Sequence, residues 1–172
     1  MKRMNMNEFN CEIFKEFNKN WALLTAGDMD NRNTMTVSWG FMGTLWNKNC
    51  VVVFVRPQRH TFHLMEESAY FTLSFMGEEY RKEMVFMGRN SGRDVDKYKE
   101  TGLIPVYDGD TFSSYIKNSK YVMKCKTLYS DFLNEENFFD KELLHHYDIN
   151  LKDYHKFYIA EVVSLLVSED EA

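Results

Sequence analysis

What the 172-residue chain lacks narrows its class first. It has two prolines, Pro57 and Pro105, so no proline-rich linker divides it. Its three cysteines, Cys11, Cys50 and Cys125, are odd in number and far apart. They form no paired-thiol motif or zinc-ligand spacing and read as reduced and mostly buried. No apolar run approaches the roughly 20 residues of a membrane-spanning helix. The basic start, Met1-Lys2-Arg3-Met4-Asn5, is not followed by an apolar signal core, so a cytoplasmic protein is expected. A basic excess is also missing: 21 Lys and Arg face 26 Asp and Glu, a net charge of −5. That balance argues against nucleic acid as the main partner. No internal repeat is visible.

What is present points to a globular β protein. Apolar residues make up 44% of the chain and aromatics 16%, enough to bury a sizeable core within one domain spanning residues 1–172. Residues 21–26 and 33–39 read as a hairpin around the turn Gly27-Asp28-Met29-Asp30-Asn31. Residues 50–55, 70–76, 121–128 and 156–167 are further strands, the first of them a β-branched run buried on both faces. Helical spacing is short and scattered: residues 12–18, with Ile13, Phe14 and Phe17 on one face; 61–67, with Thr61 as its cap; 79–87; and about 134–147, with Phe139, Leu143 and Tyr147 as its stripe. Residues 103–120 read as turn-rich. Strands that follow one another through turns favour an antiparallel barrel over a doubly wound parallel sheet.

Three stretches carry chemistry. In Asn33-Thr34-Met35-Thr36-Val37-Ser38-Trp39-Gly40 the alternation places Thr34, Thr36 and Ser38 on one face and Met35, Val37 and Trp39 on the other. A row of hydroxyls suits the edge of a flat polar ligand, or simply solvent. The following Gly40-Phe41-Met42-Gly43-Thr44-Leu45-Trp46 reads as a glycine-punctuated loop close to a ring system. In Arg56-Pro57-Gln58-Arg59-His60-Thr61 two arginines and a hydroxyl meet at a strand end and a helix start, a setting that suits phosphate. Gly88 to Tyr98, with Ser91, Gly92, Arg93 and Lys97, is polar enough to bind a ligand or to move freely.

Together with Phe71-Thr72-Leu73-Ser74-Phe75 and the fainter Tyr158-Ile159-Ala160-Glu161-Val162, these stretches resemble the flavin reductase-like proteins of the FMN-binding split-barrel family, in their flavoredoxin branch. The resemblance implies a mainly β protein with short helices, a six-stranded antiparallel split barrel working as a homodimer, with FMN in a groove near the subunit interface. It implies that Met35, Thr36, Val37, Ser38 and Trp39 line the flavin ring, that Arg56, Arg59 and Thr61 hold the phosphate, and that Ser74 and Phe75 approach the ribityl chain. Ser91, Gly92, Arg93 and Lys97 would help close the site, with Thr36 and Ser38 as candidates beside the reactive ring nitrogen. No protein nucleophile is then required, because flavin chemistry belongs to the ring. The implied activity is an NAD(P)H-dependent flavin reductase passing electrons through FMN to a small acceptor. The alternative is a non-catalytic FMN-carrying electron-transfer or storage protein; a lesser one is a barrel with heme or no cofactor. Asn47-Lys48-Asn49, where relatives carry prolines, departs from the pattern, as does Ala160 in place of a glycine.

No metal is expected. His60 and His63, and His145 or His146 with His155, lack Cys or carboxylate partners at ligand spacing. No nucleophile elbow is present.

Overall fold

The computed structural model describes residues 1–109, 113–148 and 150–169. Its centre is one eight-stranded sheet in which every pairing is antiparallel. The strands are β1 (Lys2–Met4), β2 (Ala22–Gly27), β3 (Arg32–Val37), β4 (Gly40–Leu45), β5 (Lys48–Val55), β6 (Tyr70–Phe75), β9 (Tyr121–Phe132) and β10 (Lys156–Val167). Between β6 and β9 a small ribbon pairs β7 (Pro105–Val106) with β8 (Tyr115–Ile116). The main sheet runs β3-β2-β6-β9-β10-β5-β4, with β1 added along β10. The six expected strands correspond to β2, β3, β5, β6, β9 and β10, and β1 and β4 add to them. At the far end β3 curls back against β5 without pairing to it, which leaves the barrel split.

Helices are few. α1 (Ile13–Lys15) runs on into a π-helical turn, Glu16–Asn20; α2 is His60–Glu67, α3 Arg81–Arg89 and α4 Lys97–Thr101. The core fills the barrel with inward residues of successive strands: Leu24, Phe71, Leu73, Val51, Val53, Tyr158 and Ala160 are all almost fully buried. A second cluster, built on Leu23, Met84, Met87 and Ile116, packs α3 and the β7–β8 ribbon onto the outside of β2.

Three sequence expectations need correction. Residues 40–46 form the hairpin strand β4, joined to β5 by Trp46 and Asn47 with φ of 51° and 57°. Two successive left-handed residues close a tight hairpin, so the Asn47-Lys48-Asn49 departure marks a turn. The helix expected near 134–147 is absent. β9 runs on to Phe132, and only 3-10 turns at Glu135–Asn137 and Lys141–His146 follow. Asp140 accepts from the Glu142 N–H and restarts the chain between them, Phe139 is fully exposed, and rings of Phe138, Tyr147 and Tyr154 pack on one another instead. In the short helix near residue 13, Phe14 is exposed and only Phe17 turns inward.

Leu73 is fully buried at mid-β6, between Leu24 of β2 and Met123 of β9. Leu73→Ala is expected to lower unfolding stability by about 2–5 kcal/mol, the usual range for a buried leucine whose site cannot collapse, as read by urea denaturation.

Candidate functional site

The split in the barrel is where the polar residues gather. The end of β3 supplies Met35, Thr36, Val37, Ser38 and Trp39 to a cavity of about 190 Å3, which β5 and its exit close with Phe54, Arg56 and Arg59, and the start of β10 with His155. β3 is the sheet's edge, so alternate N–H and C=O groups along it have no ladder partner. Its hydroxyl face is largely covered, contrary to the open row expected. Thr34 bonds Thr25 and the Tyr98 hydroxyl, and Thr36 donates to the Met84 carbonyl at 2.5 Å, because α3 and α4 pack there. Ser38 stays exposed.

Arg59 precedes α2, and its Nη1 donates to the Gly88 carbonyl at 2.8 Å. That bond ties the β5 exit to the Ser91-Gly92-Arg93 loop, and Arg93 returns one from Nη1 to the Gln58 carbonyl at 3.2 Å. Gly92 presses on Asn33: a Cβ there would meet its Oδ1 at 2.2 Å. Behind the loop Arg32, Asn33, Gly92, Arg93, Lys97 and Tyr98 line a second hollow of about 400 Å3. Lys97 itself is buried and donates to the carbonyls of Thr34 at 2.5 Å and Met87 at 2.7 Å. Ser91 folds back on its own loop, its hydroxyl accepting from the Arg93 N–H.

Four of the expected contacts lie elsewhere or are already engaged. Thr61 is fully buried and accepts from Asn33 Nδ2 at 2.7 Å; it does not cap α2, which starts at His60. Ser74 accepts from the Ile116 N–H under the β8 cover. Phe75 stacks on Tyr121 at 4.4 Å inside the core. Arg56 is a clamp: its Nη1 reaches Asp153 at 2.5 Å and its Nη2 the His146 carbonyl at 2.7 Å. Gln58 and the Asp148 N–H also bind Asp153, so this carboxylate pins the segment leading to β10 over the cavity. That segment brings His146 and His155 against Trp39, with ring centroids at 5.4 and 5.1 Å. Phe54, Gln58 and Asp153 were not singled out as site residues in the sequence, and His155 was weighed there only as a metal ligand. The dense run Asp153-Tyr154-His155 just before a strand was the available signal.

Basic groups outnumber carboxylates here, although Asp94 and Asp96 share the hollow behind the loop. Among the described residues no carboxylate lies within 4 Å of Arg59, Arg93 or Lys97, whereas Arg56 has Asp153. Burial and the neighbouring Arg56 lower the Arg59 pKa; burial and Arg59 lower that of Lys97 to about 8. Burial, Arg93, His63 and Lys97 lower that of His60, whose buried Nδ1 has no hydrogen-bond partner. Cations that hold one another's pKa values down, beside an orphaned ring nitrogen, form a donor set fitted to an anion.

His155 is held neutral, at a pKa of about 4, by burial and then by Arg56. Between pH 6.5 and 4 the unfolded chain therefore takes up a proton at this residue that the folded chain refuses. Stability contributed by neutral His155 falls as pH falls through that window. His155→Gln is expected to flatten the stability–pH curve there, measured by urea midpoints across the range.

Comparisons with known proteins bear on the fold and the family. Flavoredoxin of Desulfovibrio vulgaris (Miyazaki F) superposes with a TM-score of 0.69 at 18% identity, covering 97% of this chain and 78% of the other. The FMN-binding protein from Thermus thermophilus gives 0.67 at 17%, covering 98% and 82%. Nitrilotriacetate monooxygenase component B from Bacillus cereus gives 0.68 at 16%, covering 99% and 83%. These likenesses establish a shared split-barrel fold. No curated protein sequence matches the chain. The model of the flavin reductase like domain matches residues 14–172, and the chain belongs to that flavin-related family.

Proposed function

We propose that the protein binds FMN at the barrel split and works as an NAD(P)H-dependent oxidoreductase that hands electrons to a small acceptor. The observation that carries this reading is the set of Arg59, Arg93 and Lys97, with no carboxylate within 4 Å among the described residues, together with the unpartnered Nδ1 of His60, beside the free edge of β3. The cations suit a phosphate, and the edge backbone with Ser38 suits the donors and acceptors of a flavin's pyrimidine side. A bound flavin supplies the hydride-accepting and electron-passing chemistry. The chain's own part is to anchor, orient and shield. Arg59 and Arg93 take the anion, with Ser91 and Gly92 shaping the loop. Lys97 fixes β3 against α3 and adds positive potential. Thr36, already bonded to Met84, sets the strand's height, while Ser38 and the β3 backbone face the ring. Met35, Val37 and Trp39 form its apolar surround, and Phe54 and neutral His155 the opposite wall.

The relatives favour a second reading by one observation: a flavoredoxin stands beside the reductase-like chains. In it the protein carries FMN for electron transfer without nicotinamide turnover. Steady oxidation of NADH or NADPH by the FMN-loaded protein supports the reductase; FMN retention without such turnover supports the carrier.

A homodimer belongs to the same proposal, in a cytoplasmic setting. The outward face of β4, β5, β10 and β9 is aromatic: Phe41, Phe54, Phe157 and Tyr129 follow one another at 6.0–6.4 Å between centroids. Phe41 and Tyr129 are exposed, and Phe54 also lines the cavity, so a second copy seated here would border the site. No helix among the described residues is long and apolar enough to cross a membrane.

Two tests follow. Arg59→Ala is expected to weaken FMN binding by about 1–3 kcal/mol, the range of a charge-assisted hydrogen bond, in a fluorescence-quenching titration; unchanged affinity removes the phosphate assignment. Phe157→Glu is expected to convert the dimer to monomer in light scattering, and a wild-type monomer at all concentrations refutes the interface.

A further inference from the structure

A large cleft lies away from the barrel split. It holds about 590 Å3, roughly three times the β3–β5 cavity, between the N-terminal segment, the π-helical turn and the adjoining ends of β6, β9 and β10. Two of its polar side chains are more than nine-tenths buried. Tyr121, 8% exposed, makes no hydrogen bond within 3.5 Å, and its hydroxyl interacts with the Glu16 carboxylate. Glu16, also 8% exposed, stands beside that phenol, and burial together with this carboxylate pushes the Tyr121 pKa up. No Lys, Arg or His of the described residues lies within 4 Å of the Glu16 carboxylate. Arg81 lines the cleft, but its guanidinium sits over the Trp21 ring at 4.2 Å and donates to the Lys19 carbonyl. Lys19 and Lys120 line it without forming a salt bridge to Glu16.

The backbone around Glu16 is unusual as well. A π-helical turn, Glu16–Asn20, ends on Trp21 at φ 63° and ψ 165°, a region that side chains rarely enter. Folds keep such conformations where the surrounding structure holds a residue in place for a reason. Here the result is a carboxylate turned into an aromatic cleft, with Phe9 edge-on to Tyr121 at 4.9 Å.

A buried carboxylate without a counter-charge is costly, and a ligand that brings the charge relieves the cost. We propose that this cleft binds a small organic cation, an amine carrying a ring or short apolar group. Glu16 takes the ammonium, the Tyr121 hydroxyl supplies a further hydrogen bond, and the half-buried Phe9 at the cleft wall lies against the apolar part. The site is independent of the flavin reading.

Calorimetric titration of the whole protein with 2-phenylethylammonium, 2-phenylethanol and 3-phenylpropionate tests it. The cation is expected to bind at least tenfold more tightly than the neutral and anionic analogues, with amide NMR shifts centred on Phe9, Glu16 and Tyr121. Glu16→Gln is expected to remove that preference and Tyr121→Phe to reduce it, while FMN affinity stays at the wild-type value. Equal binding of the three probes, no binding of the amine, or shifts centred on β3 would overturn the proposal using wild-type protein alone.

Discussion

The constraint on which the rest depends is that β3 returns to β5 and does not pair with it. A sheet that closed completely would satisfy every backbone group and leave no edge. The split keeps one row of β3 N–H and C=O groups available, opposite the exit of β5, at the place where the chain turns into α2. Everything polar at the candidate site is arranged around that gap. α3 and α4 press on the outer face of β3, and Lys97 binds the Thr34 carbonyl from behind. The loop at Gly92 seats against Asn33, which in turn holds Thr61 at the first turn of α2. The strand edge is thus fixed from three sides before any ligand arrives.

Charge divides the arginines by task. Arg56 sits among acceptors, with Asp153 and the His146 carbonyl, and works as a structural clamp on the segment before β10. Among the described residues Arg59 and Arg93 donate to backbone carbonyls and have no carboxylate within 4 Å. A bound phosphate would be a better counter-charge than solvent, and its arrival should raise the lowered pKa values of Lys97 and His60 together. Membership of the flavin reductase like family points to a flavin-related function, and the chemistry of a bound flavin needs no protein nucleophile.

Much of this was legible in the sequence, for reasons that are physical. Period-two alternation and β-branched runs announced six of the eight strands of the main sheet, because each had one buried face or two. The stretches 33–40, 56–61 and 88–98 were recognisable as a group, and the fold brings parts of all three together. What alternation could not show was which face a later element covers. Thr34 and Thr36 read as an open row, and Ser74 as a ligand contact, until α3, α4 and β8 were placed on them. Residues 134–147 had helical spacing and no partner for the stripe, so rings packed locally instead. The Arg56–Asp153 clamp joins residues 97 apart, and nothing local in the chain predicts such a pair.

The most direct measurement of the central claim is a parallel titration with FMN and riboflavin, which differ by the phosphate alone. Riboflavin is expected to bind about 30–140-fold more weakly, the loss of roughly 2–3 kcal/mol of charge-assisted contact at about tenfold per 1.4 kcal/mol. The difference should shrink at high salt and in the Arg59→Ala protein. Equal affinity for both flavins would contradict the assignment of Arg59, Arg93 and their neighbours as the anion site.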